Sequence, residues 1–479
     1  MKKNILLAFA VLTVFAGCGK DFLNEAPKLS QDNDKTLSSV SDLDLATAGN
    51  YGVLVHTGWY GEDFILLNEM TTANGKRWIG KHDSGRLKDI YALNIRTGST
   101  DESILWRVAY GEILGANNVL NRLEAVEGDE TLKNNLKAEN LFLRALAYFD
   151  LVRTYARPYD YTADASHLGV PIVYDGDYTN KPHRSPVSEV YKLIVSDLTT
   201  AESLIGDNYI RAGFADPRAS ASKPAIQALL SRVYLYMGNY DKCIEYSTKV
   251  INNKAFSMWT VKDVKDAACF KADVSDPKNK GEVIFEVYGL KTNTNDGFHD
   301  SLWSMTAPDG EYGDAGASTD VLTRYEDGDI RKTWFSPDKN GECLFTLKYS
   351  GKGLSTPDVT NTIVLRLSEM YLNRAEAAIK GGKGGNPTSD LKVLADNRGA
   401  TPQPATREGV FAEREKELVW EGHLWFDLAR YKLPMVRVDV ADGIATKLEV
   451  DDHRWVAPIA IRELNTNGNL VQNPGYAKE

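Results

Sequence analysis

The chain has 479 residues, 43% of them hydrophobic and 25% charged, which is ample length for a large buried core. Its 66 acidic residues outnumber 56 basic ones for a formal net charge of -10, which argues against a nucleic-acid footprint, since phosphate binding calls for clustered Lys and Arg. After Cys18 only Cys243, Cys269 and Cys343 remain, without close pairs, so neither a disulfide framework nor a zinc site is suggested; they read as small hydrophobes with one disulfide at most.

The N-terminus reads Met1-Lys2-Lys3, an apolar run over residues 5–16, then Gly17-Cys18, the layout of a secretory signal. At ~1.5 Å per helical residue that run spans roughly 18 Å, short of a ~30 Å hydrocarbon core, so it is an export signal and not a spanning helix. Phe15-Ala16-Gly17-Cys18 resembles a bacterial lipobox. That resemblance implies a signal peptide over residues 1–17 and a diacylglycerol on the Cys18 thiol, each buried CH₂ adding ~0.8 kcal/mol of membrane affinity. Residues 18–35 are polar, contain Pro27, and read as a tether from which a globule starts near Thr36.

Within the globule, Leu141, Ala145, Tyr148, Val152 and Tyr155 repeat every three to four residues, predicting a helix over 134–155 that ends before Pro158. A second amphipathic helix is expected over 186–204. Pro224 opens a third, Gly238 closes it, and residues 240–251 form its partner, a hairpin that resembles the tetratricopeptide unit. Further helices are expected over 365–380, 389–397 and 408–422, with the glycine-rich turn 381–386 between the first two. Residues 256–362 instead carry short β-like runs, such as 282–287, and long polar loops. The fold class is therefore mainly α, with a loop-rich, short-strand insertion.

Several blocks in fixed order then match one family along nearly the whole chain. They are Arg144-Ala145-Leu146-Ala147-Tyr148-Phe149-Asp150-Leu151, Gly169-Val170-Pro171-Ile172, Ala221-Ser222-Lys223-Pro224-Ala225, Leu367-Ser368-Glu369-Met370-Tyr371-Leu372-Asn373-Arg374-Ala375-Glu376-Ala377, Trp420-Glu421-Gly422-His423-Leu424-Trp425-Phe426-Asp427, and the closing Gln472-Asn473-Pro474-Gly475-Tyr476. The chain resembles the SusD/RagB nutrient-uptake family. Residues 394–400 and Leu424 depart from its usual arginine-rich and basic versions. The resemblance implies a SusD-like scaffold of about four tetratricopeptide-like pairs, divided as an N-terminal part, 36–215, and a C-terminal part, 216–479, packed as one unit. It also implies a lipid-anchored outer-membrane protein facing the cell surface, whose partner is a SusC-like TonB-dependent transporter. The expected ligand is a glycan; an oligopeptide, or a scaffold that binds protein alone, are the alternatives.

Catalysis is not expected. Glu413, Glu417 and Glu421 recur at four-residue intervals beside Arg414 and Lys416, a pattern of charge pairing within packed helices more than of a glycosidase pair. His423 has no second His or Cys at metal-ligand spacing, and Asp327 and Asp329 lack the full calcium-loop pattern, so no metal or other cofactor is expected. The candidate ligand contacts are aromatics in polar loops, where a ring face offers an apolar platform: Trp59, Tyr60, Trp78, Trp303, Tyr312 and Trp334.

Overall fold

Most long helices begin where a side-chain oxygen meets the first unsatisfied N–H groups. Ser39 opens α1 (Val40–Val53) in a capping box with Asp42. α2 (Asp63–Met70) and α3 (Asp101–Arg122) follow, and Asp129 caps α4 (Glu130–Tyr155) through the Leu132 N–H. α5 (Val187–Leu204) leads to α6 (Lys223–Tyr236), capped by Ser222 with a proline in its first turn, and Asn239 caps α7 (Tyr240–Ile251). α8 (Leu367–Ile379), α9 (Pro387–Arg398), α10 (Arg407–Glu417) and α11 (Leu424–Tyr431) complete the long helices. The computed structural model describes residues 36–80, 83–98, 101–176, 179–214, 217–271, 281–289, 301–349, 360–441 and 443–477. Cys18 and the expected signal and tether, residues 1–35, lie outside the described residues.

From α3 to α8 the helices pack in succession, except that α7 folds back on α6 and α8 packs on both, and α9 and α10 both pack on α8. Bidentate arginine–carboxylate pairs lock several of these faces. Arg144 on α4 holds Asp197 on α5 at 2.8 and 2.7 Å, and Arg232 on α6 holds Glu369 on α8 at 2.6 Å through both nitrogens. The strands are β1 (Gly75–Arg77), β2 (Val283–Val287), β3 (Ala315–Ala317), β4 (Phe335–Pro337), β5 (Leu344–Thr346), β6 (Thr362–Arg366), β7 (Met435–Val436) and β8 (Lys447–Leu448). β1, β3, β5 and β4 form one antiparallel sheet in that order; β2 pairs with β6, and β7 with β8. One continuous apolar core runs from Tyr51 to Leu470. The chain is thus mainly α, built of paired helices with a small strand-and-loop portion.

Two helix expectations need correction. Residues 365 and 366 belong to β6, and α8 starts only at Leu367, because Arg366 pairs with Val283 in the strand ladder. α10 ends at Glu417, five residues before the expected Gly422; Trp420 and Gly422 turn the chain with φ of +59° and +76°. That turn swings Glu421 off the helical face and onto Arg366 and Lys348.

The turn exists to complete a buried ion cluster. The Glu417 carboxylate accepts from Arg366 at 2.6 Å, Arg398 at 2.8 Å and Arg331 at 3.0 Å. Arg331 also bonds Glu413 at 2.7 Å and Asp329 at 2.8 Å, and Arg398 bonds Glu282 at 2.7 Å. Burial alone would raise the Glu417 carboxyl, but Arg398, Arg366 and Arg331 hold it well below the usual range. Glu112 on α3 has the opposite surroundings. It is fully buried, neither oxygen has a hydrogen-bond partner among the described residues, and burial pushes its carboxyl well above the usual range.

Two stability experiments follow from this contrast. Glu417→Gln leaves three arginines undercompensated and should cost about 3–5 kcal/mol in urea unfolding. Glu112 has a folded pKa above its unfolded value, so its contribution is fully favourable only below the unfolded pKa near 4.5 and is lost as pH rises toward the folded one. Glu112→Leu should therefore stabilise the protein by about 1–3 kcal/mol at pH 8, with a smaller gain at pH 4. An equal effect at both pH values would contradict that reading.

Candidate ligand-binding site

The site grows from the joint between α1 and α2. Residues Thr57–Gly61 form a π-helical turn in which Trp59 adopts φ -131° and ψ -125°. The turn is tight because Gly58 lies directly on Ile104, where an added Cβ would sit 1.8 Å from a side-chain carbon. It drives the two aromatics inward: Trp59 and Tyr60 stack at 5.5 Å and donate from Nε1 and Oη to Asp150 Oδ2 at 2.8 and 2.7 Å. The same turn leads into buried Glu62 and half-buried Asp63 at the start of α2.

After α2, β1 pairs with β3, and the Trp78 N–H continues the ladder by donating to the Asp314 carbonyl at 2.9 Å. Ser84 donates to the Asp314 carboxylate, which anchors the loop carrying Arg86. The Arg86 guanidinium lies 4.6 Å from the Tyr312 ring centroid, donates to its hydroxyl at 3.3 Å, and stands 3.8 Å from Glu62. Tyr312 itself is fixed by its N–H bond to the Ser304 carbonyl at 3.2 Å, on the short helix Leu302–Thr306. Beside Arg86 opens a cleft of about 260 Å³ lined by Thr57, Glu62, Asp63, Leu67, Arg86, Leu87 and Ile104. A flat cation–aromatic pair next to a cavity with carboxylate and apolar walls suits a ligand that has both a hydrophobic face and a polar rim.

The six aromatic candidates divide. Trp78, Trp303 and Tyr312 are half-buried: Trp78 directly follows β1, Trp303 lies on the short helix Leu302–Thr306, and Tyr312 precedes β3. Trp59, Tyr60 and Trp334 are buried, at 0%, 2% and 0% exposure, and the Trp334 Nε1 donates to the Val264 carbonyl at 2.8 Å. These three are core residues in this structure, because their polar atoms have inward partners. Arg86, Glu62 and Asp63 escaped sequence reasoning. Their only local signal is charge in a glycine- and aromatic-rich stretch, and nothing in the spacing links residue 86 to residue 312.

Glu413, Glu417 and Glu421 are paired with arginines, and Asp427 takes Arg414 at 2.8 Å. Asp329 is likewise engaged by Arg331. His423 is buried, and burial with Arg232, Arg414, Arg153 and Arg366 nearby holds its imidazole well below the usual range, hence neutral. Among the described residues no group of three His, Cys, Asp or Glu could hold a metal ion, and no helix is long and apolar enough to cross a membrane.

Two family models match this chain. Residues 21–235 match one described as starch-binding and associating with the outer membrane, and residues 333–476 match that of the SusD family. The chain belongs to the SusD/RagB family. SusD-like protein P2 of Formosa agariphila is 25% identical over 529 aligned positions, covering 99% of this chain and all of that one. The crystal structure of a SusD superfamily protein from Bacteroides vulgatus superposes with a TM-score of 0.81 at 28% identity, over 92% of this chain and 100% of that one. The starch-binding protein SusD of Bacteroides thetaiotaomicron is 28% identical over 163 residues, 33% of this chain and 28% of its own length. Trp78 and Arg86 thus fall inside a family-model match, whereas Trp303 and Tyr312 fall in the stretch 236–332 between the two.

The split between core and edge aromatics is measurable. Trp59→Phe and Tyr60→Phe each remove a donor to buried Asp150 and should each cost about 1–3 kcal/mol in thermal or urea unfolding. Trp78→Ala, at the half-buried edge, should shift the same curves by less than either.

Proposed function

We propose that this SusD/RagB-family chain is a lipid-anchored outer-membrane protein that captures a glycan at the cell surface and passes it to a SusC-like TonB-dependent transporter. The observation that carries the reading is the Arg86–Tyr312 stack beside a carboxylate-lined cleft. A pyranose has an apolar face for the ring and hydroxyls for the guanidinium and carboxylates. The name of the starch-binding relative and the description of the matching N-terminal family model support carbohydrate as the ligand class. The lipobox-like segment ending in Cys18 supports the anchor. The protein binds and delivers without turnover, a reading supported by Glu417 and Glu421 of the acidic run, which are paired with Arg366 in the core.

Calorimetry against a panel of oligosaccharides and oligopeptides tests this. At least one glycan should bind unaltered, and Tyr312→Ala should weaken it at least tenfold with an unchanged unfolding midpoint. Binding of oligopeptides alone would replace the glycan reading with a peptide-uptake one. Binding of neither, with co-purification of a β-barrel transporter, would leave a scaffold role. Cys18→Ala should shift the protein out of the membrane fraction.

A further inference from the structure

A second cavity lies between α1, the loop before α6 and the end of β2, and it shares no lining residue with the cleft beside Arg86. We propose that it is a further binding site, for an uncharged small molecule built on one aromatic ring. Its volume is about 270 Å³, whereas ~150 Å³ of apolar cavity suffices to hold benzene, so a ring with a short substituent fits. Ala48, Tyr51 and Gly52 come from α1, Phe214 and Ala219 from the loop, and Val287 from β2, and no described residue lining the cavity carries a charge.

The aromatic wall is held from behind. The Phe214 ring meets Tyr51 edge-on, with centroids 5.2 Å apart and planes at 79°. The Tyr51 hydroxyl donates to Glu139 on α4 at 2.8 Å and accepts the Ala221 N–H at 2.9 Å, so the polar end of this ring is already engaged. Tyr209 and Arg211 donate to the same carboxylate at 2.8 Å, and Arg211 also reaches Asp44 on α1 at 2.8 Å, which pins the loop carrying Phe214 against the helix. The two rings thus offer the cavity carbon surfaces, which an incoming aromatic ring can meet edge-to-face or offset-stacked. A charged group would lose its hydration there with no opposite charge on the described wall to replace it. The exposed lining residues Gly52 and Gly213 mark the mouth. Glycine inside a helix is less favourable than alanine, yet a Cβ added at Gly52 would meet nothing within 4 Å. No contact among the described residues calls for glycine at 52, and its lack of a side chain leaves the entrance open.

The experiment is calorimetry at neutral pH on the purified protein with indole, para-bromophenol and methyl cinnamate, and with the cinnamate anion and octanol as the charged and aliphatic counterparts. At least one neutral aromatic should bind, methyl cinnamate should bind at least tenfold more tightly than cinnamate, and octanol should bind less tightly than the best aromatic. Ala219→Leu and Ala48→Leu, which fill the cavity from the loop and from α1, should each weaken the best aromatic at least tenfold; should Ala219→Leu not fold, half-buried Ala48 decides alone. In crystals soaked with para-bromophenol, the anomalous bromine peak should lie in the cavity beside Tyr51 and Phe214. The proposal is overturned if none of the aromatics binds in calorimetry, if octanol or cinnamate binds more tightly than all of them, if the filling variants leave binding unchanged, or if the bromine lies elsewhere. Because the cleft beside Arg86 shares none of these residues, each of those results leaves the glycan reading as it stands.

Discussion

The structure depends on one buried carboxylate, Glu417, and the three guanidinium groups that converge on it. Arg331 comes from the strand-and-loop portion, Arg366 from the end of β6, and Arg398 from the end of α9, so segments distant in sequence meet at one point. None of the four is accessible to water, and an ionised group in such a place is tolerable only when fully paired. The requirement is therefore directional: α10 must stop where Glu417 stops, β6 must end with Arg366 turned inward, and Glu421 must leave the helix to reach Arg366 and Lys348.

From that cluster a short chain of bonds reaches the edge that carries the candidate site. The Gly422 N–H, in the turn after α10, donates to Glu69 on α2 at 2.6 Å, and Asn74 donates to the other oxygen of Glu69 at 2.6 Å. Burial raises the Glu69 carboxyl to about 7. Asn74 in turn takes Arg324 on its side chain and the Ser318 N–H on its backbone carbonyl, just before β1 begins. On the other side of α2, Asp150 anchors the π-turn, and Arg153 beside it lies 4.3 Å from the Phe149 ring centroid and 4.4 Å from that of Phe426. The rim that presents Glu62, Asp63, Trp78 and Arg86 is thus braced from beneath on both flanks.

The helices were legible in the residues. Period and punctuation located α4, α5, α6, α7 and α9 to within a few residues, because each has a repeating apolar face and ends at a glycine, a proline or a polar cap. The errors fell at residues 365–366, where pairing with β2 overrides a local helical pattern, and at 418–422, where the ion pairs of Glu421 do. The same blindness affected the aromatics. Trp59 and Tyr60 look in sequence like loop residues offering a surface, yet Asp150, some ninety positions away, draws both into the core.

By itself the sequence determined the mainly helical class and the family, since periodicity, caps and an ordered set of blocks are local features that survive without knowledge of the fold. It also offered, in the lipobox-like residues 15–18, Cys18 as a candidate lipid attachment point. Only the tertiary structure decided which aromatics face outward, which carboxylates are neutralised, and that Arg86 stacks on Tyr312 beside a cleft. Those outcomes depend on pairings between residues separated by tens to hundreds of positions, and a buried charge or donor is satisfied by whatever partner the fold brings within about 3 Å, not by its neighbours in the chain.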